Sequence, residues 1–477
     1  MTREKLDIHQ KAFQINMDAN KYGTIAEIGA GQEVARWFFV VGGAAGTIAK
    51  SMSAYDMNVS DAIYGSTRRY VSRDRLLTML DYEYSLLLKR LQDRREETTQ
   101  FFTFADTVAA RSHTRAEAES HGWMGIRFQH QPGTEPSDIV LHVRMLEKEN
   151  LQQQEALGLL GINLIHGAFH LHHHPDDLIA SLVDNIAGGR VEVDLAKFSG
   201  PAFPGVDNRL MALELVEQGL TDAAMFRADG EVVQPGELLY RKAVLVERGS
   251  FRPFTNVTLD MLNRAHEVFV REPQVHAADV IVVAEMTLKH LSVGDEISHR
   301  DFLDRVDTLS GLGTAVLITN YLRFFRLAAY LFRYTKKNVG LVMGLRTLRE
   351  VFQEEYYRDL EGGILEALGR LFKNDLKLYV HPQKDRDSGA LVTAEMLSVA
   401  QHLRHLYAYL IENRFIEGLQ GVNEAYLSIF PQDVLTKIQS GDPAWEAMVP
   451  PQVSQIIKDR KLFRYRPVAS APTSTRG

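Results

Sequence analysis

Residues 243–288 read AVLVERGSFRPFTNVTLDMLNRAHEVFVREPQVHAADVIVVAEMTL, and the fold of the chain turns on how that stretch is parsed. AVLVERG and VIVVAEMTL are short, continuous apolar runs, while TLDMLNRAHEVFV between them carries its apolar residues at helical spacing. Successive side chains on a strand point to opposite sides, so a strand that is apolar throughout has both faces buried. Strand, helix and second buried strand together predict a parallel pair joined by a crossover helix.

The same alternation runs outward in both directions. VEVDLAKF, AAMFRAD, TAVLITN, NVGLVMG and LKLYVHP read as further strands. They mostly alternate with helical stretches such as VDNRLMALELVEQGL, HRDFLDRVDTLSGLG, YLRFFRLAAYLFRYT and LREVFQEEYYRDLEGGILEALGRLF. The expected fold class is therefore α/β, with mainly parallel, helix-covered, Rossmann-like sheets. A chain of 477 residues exceeds one hydrophobic core, so two lobes are expected. The rhythm changes near residue 190. That divides the chain into a polar lead (1–22), a helix-rich α/β lobe (23–189), an alternating lobe (190–463) and a disordered tail (464–477). Within the N-terminal lobe, SRDRLLTMLDYEYSLLLKRLQDRREE reads as a helix capped by Ser72. FFTFADTVAA reads as a buried strand ending at Asp106, and GWMGIRF with DIVLHVRML as a hairpin pair. Residues 147–186 read as mostly helical.

Composition narrows the function classes. Hydrophobic residues are 45% and charged residues 24% of the chain, ordinary values for a globular protein. A net charge of -7 argues against a surface built for nucleic acid. There is no cysteine, which excludes disulfides, thiolate metal sites and a cysteine nucleophile. The first residues lack the apolar core of a signal peptide. WFFVVGGAAGTIA, thirteen residues, falls short of the roughly 20 that a membrane-spanning helix needs. A soluble, cytoplasmic protein with no membrane partner is expected, and a homo-oligomer is compatible with the sequence.

Four segments are candidates for chemistry. In AEIGAGQE, an apolar run before Gly29 and Gly31 resembles the glycine loop of methyltransferases or dinucleotide binders, where backbone amides meet a nucleotide at a helix N-terminus. Glu33 replaces the third glycine, so a helix-entry turn is the simpler reading. In RWFFVVGGAAGTIAKSMSAYD, a strand-like WFFVV leads into Gly42, Gly43 and Gly46, then Lys50 and Ser51. Glycines supply backbone donors and lysine a charge to a phosphate cradle. Ala44 and Ala49 stand at the signature glycine positions, and the competing reading is a small-residue helix packed on a neighbour. LVERGSFRP sets Arg248, Ser250 and Arg252 just beyond an apolar strand, where open α/β sheets bind ligands and arginine forks grip phosphates or carboxylates. The competing reading is an ion pair between Glu247 and an arginine. Asp194, Glu285 and Asn320 are similar strand-end candidates. In HGAFHLHHHPDDL, His166, His170 and His174 share one face if the helix is continuous and so suit Zn²⁺ or Ni²⁺. Pro175 instead marks a junction between two helices.

Whole phrases, among them AEIGAGQEVARWFF, GGAAGTIAKSMSAYDM, LVERGSFRP and LAAYLFRYTKK, resemble a group of soluble bacterial proteins, cyanobacterial ones included. That group is often labelled nicotinate- or nicotinamide-mononucleotide adenylyltransferase. The resemblance covers nearly the whole chain. It implies an α/β nucleotide fold that joins a mononucleotide to the AMP part of ATP, with Mg²⁺ as cofactor and pyrophosphate released. In that chemistry an HxGH motif stabilises charge on the transferring phosphate. GAFHLHHHP offers His170 and His173 in a comparable order, with His172 at the glycine position. GSTRRY has Tyr70 where the companion STxxR motif has arginine.

The expectation is thus a protein that handles a small nucleotide or phosphate ligand, by nucleotidyl transfer from ATP to nicotinate or nicotinamide mononucleotide. His170 and His173 would act on the reacting phosphate. Gly42, Gly43, Gly46, Lys50, Arg248, Ser250 and Arg252 would hold phosphates. The alternatives are a non-catalytic binding or assembly protein of the same fold and, less well supported, a metal-dependent hydrolase.

Overall fold

All seven apolar runs after residue 190 form strands in the computed structural model, which describes residues 4–29, 31–95, 97–110, 119–294, 296–385 and 388–467. The chain divides into two compact units, Met1–Ala224 and Met225–Gly477.

The first unit is a six-stranded sheet. Its strands are β1 (Lys21–Ile28), β2 (Ile48–Ser53), β3 (Gln100–Ala109), β4 (His121–Phe128), β5 (Ser137–Met145) and β6 (Val191–Ser199), in the order β2-β1-β3-β4-β5-β6. β2, β1 and β3 are parallel, whereas β3 through β6 form an antiparallel meander that includes the expected β4–β5 hairpin. This sheet is mixed rather than mainly parallel. Its helices are α1 (Ile8–Met17), α2 (Glu33–Val41), α3 (Met57–Tyr64), α4 (Arg73–Arg95), α5 (Asn150–His170), α6 (Pro175–Ser181) and α7 (Asn208–Glu217). One face packs Phe102, Phe104, Met124 and Ile126 against α5 residues such as Leu160 and Leu164. α4 covers the other face. A Cβ on Gly125 would lie 3.3 Å from both Leu76 and Leu80 and 2.8 Å from the Ile139 carbonyl, so a bare backbone lets α4 approach.

Two boundaries differ from expectation. The polar lead contains α1, started by a capping box between Asp7 and Gln10, and buries Ile8, Ala12 and Ile15. Its Lys11 is buried too, with Nζ 2.7 Å from Asp184 Oδ2 and 2.8 Å from Asn163 Oδ1. The break expected at residue 190 falls between Ala224 and Met225, because β6 pairs along the length of β5 and α7 packs its Met211 and Leu215 into the first core. Strand–helix alternation reveals the elements but not which sheet an edge strand joins.

The second sheet comprises β7 (Ala223–Phe226), β8 (Val232–Val233), β9 (Ala243–Arg248), β10 (Val280–Thr287), β13 (Ala315–Thr319), β14 (Val339–Gly344), β15 (Leu376–His381) and β18 (Ile416–Gly418). Two small hairpins, β11 (Ser292–Val293) with β12 (Glu296–Ile297) and β16 (Gln383–Lys384) with β17 (Leu391–Val392), lie outside it. The sheet order is β18-β15-β14-β9-β10-β13-β7-β8, and β13 through β18 pair in parallel. Counted from β9, those six strands run 3-2-1-4-5-6, the doubly wound order in which the chain leaves its first strand to one side and later returns to the other. After α8 (Pro235–Leu239), the connections carry α9 (Asn256–Phe269), α10 (Leu288–Leu291), α11 (His299–Gly311), α12 (Phe324–Tyr334), α13 (Leu345–Val351), α14 (Gly363–Leu371) and α15 (Arg404–Glu412). α16 (Pro431–Ser440) and α17 (Pro451–Arg460) follow. β13 is buried at every position, as a strand covered on both faces must be. The aromatic stretch of α12 is core, with Phe324, Phe325, Tyr330 and Phe332 all buried. No described helix is long and apolar enough to cross a membrane. Of the tail expected at 464–477, residues 468–477 lie outside the described residues.

Candidate functional site: a basic cleft at the strand ends

A cleft of about 430 Å³ opens beyond the carboxyl ends of β9, β10, β13 and β14. Each connection contributes to it: Arg248, Gly249 and Ser250 follow β9; Thr287, Lys289 and His290 follow β10; Arg323 and Phe324 follow β13; Arg346, Thr347 and Glu350 follow β14. Parallel strands deliver their carboxyl ends to one edge, and the reversal of winding at β9 parts the connecting helices there. In doubly wound sheets this is where ligands bind. Lys289 and Arg346 are exposed, the latter by 89% of its side chain. Tyr356, 44% exposed, offers an aromatic face to the same space.

The cleft floor is an ion pair. Arg248, 7% exposed, donates from Nε and Nη2 to the two carboxylate oxygens of Glu285, each at 2.7 Å. Thr319 Oγ1 donates to Glu285 Oε1 at 2.7 Å, Arg248 Nη1 donates to the Leu322 carbonyl, and the guanidinium lies 4.1 Å from the centre of the Phe324 ring. Arg248 therefore ties β9, β10 and the β13–α12 connection together. Its partner is Glu285 on the next strand, not the adjacent Glu247. The Glu247 side chain is fully buried on β9, and burial pushes its carboxyl well above the usual range. Ser250 lines the cleft and also an adjoining one of about 480 Å³. Arg252 lines only the adjoining cleft, with Nε 2.6 Å from Asp301 Oδ1. His290 lines both.

The other expected residues belong to the first unit. WFFVV is helical, within α2, so Gly42 and Gly43 end a helix instead of opening one, at φ of 82° and 79°. A helix C-terminus carries negative partial charge and is unsuited to phosphate. Gly46 closes a short turn, and Lys50 lies within β2 on an ion pair with buried Glu83. The phosphate cradle drawn from Gly42, Gly43, Gly46 and Lys50 is thus not assembled. Nearby, β1 ends at Ile28 and α2 starts at Glu33, the strand end and helix start of the simpler reading, and Glu27 reaches the α2 start. Its two carboxylate oxygens accept from Val34 and Ala35 backbone N–H at 3.0 and 3.2 Å. Opposite it on β3 is Asp106, fully buried, accepting from Ile28 N–H at 3.1 Å. Burial raises both carboxyls, and the Glu27 charge pushes Asp106 further up.

The histidine run is a helix junction. α5 ends at His170, a turn follows, and α6 starts at Pro175, so His174 leaves the face of His166 and His170. His166 and His170 rings lie 4.5 Å apart, and His172 and His173 rings 3.9 Å apart. Among the described residues the run does not bring three ligand atoms together. Burial lowers the pKa of His170, with Lys21 adding to it. His170 and His173 lie in the first unit, and Arg248, Ser250 and Arg252 in the second.

Sequence reasoning missed His290 and a second buried group. His142 Nδ1 bonds Asp194, and His142 Nε2 lies 3.0 Å from His121 Nδ1. Asp194 and His142 are each 1% exposed. In the sequence Asp194 reads only as a strand-end acid, because a cross-strand partner 52 residues away leaves no local pattern.

No family model matches the chain, and no curated protein matches it. Among solved structures it is similar to competence/damage inducible protein CihA from Agrobacterium tumefaciens, at 17% identity over 35% of this chain and 97% of that one, with a TM-score of 0.26. It is also similar to a competence-damaged protein (CinA) superfamily protein from Enterobacter cloacae, at 13% identity over 35% and 96% of the two chains, TM-score 0.23. Likeness of this degree bears on neither the fold nor the site.

Proposed function

We propose that the second unit binds a phosphate-bearing nucleotide in the basic cleft, and that nucleotidyl transfer from ATP to nicotinate or nicotinamide mononucleotide is its reaction. The observation that carries the binding half is the basic cleft at the turning point of a 3-2-1-4-5-6 sheet. Lys289 and Arg346 supply charge for phosphates, Ser250 and Thr347 hydroxyls, and Tyr356 a surface for a base. The volume of about 430 Å³ suits a small ligand. The reaction half rests on the sequence resemblance.

The site departs from a dinucleotide fold in two respects. The turn after β9 has Gly249 in place of a glycine-rich loop. At the end of β10 the acid nearest the cleft, Glu285, is consumed by Arg248 and Thr319. Phosphate contacts in this cleft therefore fall to Lys289 and Arg346 rather than to a glycine loop.

Mg²⁺ usually keeps several waters and uses one or two carboxylates together with substrate phosphates. With Glu285 taken up by Arg248 and Thr319, the carboxylate lining the cleft is Glu350, 3.8 Å from Arg346 Nε. That donor set does not hold Mg²⁺ by itself, so Mg²⁺ would enter on the ATP phosphates.

Thermal unfolding with ATP, nicotinamide mononucleotide or NAD, each with and without Mg²⁺, tests this. ATP should raise Tm, and the double variant Lys289→Ala/Arg346→Ala should abolish most of the rise. Unchanged Tm with all three at saturating concentration would end the nucleotide reading. Binding without pyrophosphate release would leave the non-catalytic alternative.

A further inference from the structure

His290 stands where the two clefts meet, lining the one beside Lys289 and Arg346 and the one beside Arg252 and Gln432. Its backbone is fixed on both sides: its N–H donates to Thr287 Oγ1, and its carbonyl accepts from Arg305 Nη1 at 2.7 Å. Its ring nitrogens differ. Nδ1 is sealed from solvent with no hydrogen-bond partner among the described residues, which leaves Nε2 as the nitrogen that can meet a ligand.

We propose that His290 serves this site as a neutral donor, presenting Nε2–H to an oxygen of the bound ligand at the junction of the two compartments. The proposal rests on the cleft being a nucleotide or phosphate site. A neutral imidazole carries one proton, on one nitrogen or the other. A proton on Nδ1 would be a buried donor without an acceptor, and orphaned buried N–H groups are rarer in folded proteins than bare acceptors. The Nε2–H form leaves only a bare lone pair buried.

Protonating both nitrogens meets the same obstacle. The charged groups facing the ring oppose it as well: Arg248 from β9, Lys289 from its own helix and Arg305 from α11. Glu285 on β10 pulls the other way, but Arg248 already occupies that carboxylate, and Glu350 and Asp433 line the same two clefts. Burial first, then these cations, lower the ring pKa to about 4. The ligand oxygen thus meets a donor that is uncharged throughout the neutral range and needs no proton from solvent.

Calorimetric titration with ATP as the probe tests the donor. Glutamine places an amide N–H near the position of imidazole Nε2, and asparagine near that of Nδ1. His290→Gln should therefore stay within about threefold of the wild-type Kd, while His290→Asn and His290→Ala weaken binding on the order of tenfold, the scale of a hydrogen bond to a charged acceptor. Enthalpies in buffers of different ionisation heat should show no proton uptake between pH 6 and 8. In the ¹⁵N spectrum of the free protein, the ring signals absent from His290→Gln should report the Nε2–H tautomer. An Nδ1–H or doubly protonated ring at pH 7, proton uptake on binding, or wild-type affinity in His290→Ala each overturns the proposal while leaving the cleft assignment standing. Failure of the wild type to bind ATP overturns both.

Discussion

Both units bring parallel strands to a turning point, and they finish it in opposite ways. In the first, β1 and β3 end side by side with Glu27 and Asp106 filling the space before α2. In the second, β9 and its neighbours end in an open cleft whose buried acid, Glu285, is neutralised from within by Arg248. Topology provides the position of a site, and the side chains at the strand ends decide whether anything enters. A carboxylate on helix N–H groups takes the place a phosphate would take. An internally paired arginine instead leaves exposed cations free to meet one.

The sharpest way to break the comparison is Glu285→Ala. It strands a guanidinium that is 7% exposed, and losing one partner of a buried pair costs about 3–5 kcal/mol. Chemical denaturation should show that loss, with the cleft emptied of its floor. If stability is unchanged, Arg248 does not brace the strand ends.

Gly29→Ala comes next. Gly29 has φ of 96°, and an added Cβ would lie 2.1 Å from the Val108 carbonyl oxygen. A loss of about 2–3 kcal/mol is expected from the strain, with ATP affinity unaltered. Weakened ATP binding in a folded variant would mean that the first glycine loop handles the ligand after all.

Asp106→Asn tests the acid pair. Burial holds Glu27 at about 7 against an ordinary 4.5, and raises Asp106 as well, so the folded unit keeps protons that the unfolded chain releases. Their contribution is fully present at low pH and declines as pH rises from about 4.5 through 7. Asparagine mimics the protonated acid. It should flatten that decline and raise stability at pH 8 relative to the wild type, as read by chemical denaturation across the pH range. A stability profile identical to wild type would show that the pair is not under electrostatic strain.

The smallest effect belongs to the rim. Lys289→Ala alone should weaken ATP binding about three- to fivefold at low salt and less at high salt, because exposed charges are screened. An effect that salt does not alter would place Lys289 against the ligand in a dry contact.

The second sheet is legible in the sequence because its strands are apolar at nearly every position, and short apolar runs between amphipathic helices mark strands buried on both faces. The strand-end rule then points to Arg248, Ser250 and Arg252 at the edge where the cleft opens. WFFVV misleads because five apolar residues fit a buried helix as well as a buried strand. The phosphate cradle depended on that strand and falls with it. His290 lies three residues beyond the end of a strand legible as such, so the rule that finds Arg248 could have found it too. The His121–His142–Asp194 chain is beyond sequence reasoning, since it forms across three strands that meet only when the antiparallel half of the sheet is built.

The buried bond between Lys11 and Asp184 joins residues 173 positions apart. A ribosome adding about 5–20 residues per second keeps the lysine without its carboxylate for roughly 10–35 s. Through that interval the amino-terminal helix lacks the acid that neutralises it in the core. Synthesis order therefore makes its docking one of the last events in building the first unit, however early its residues emerge.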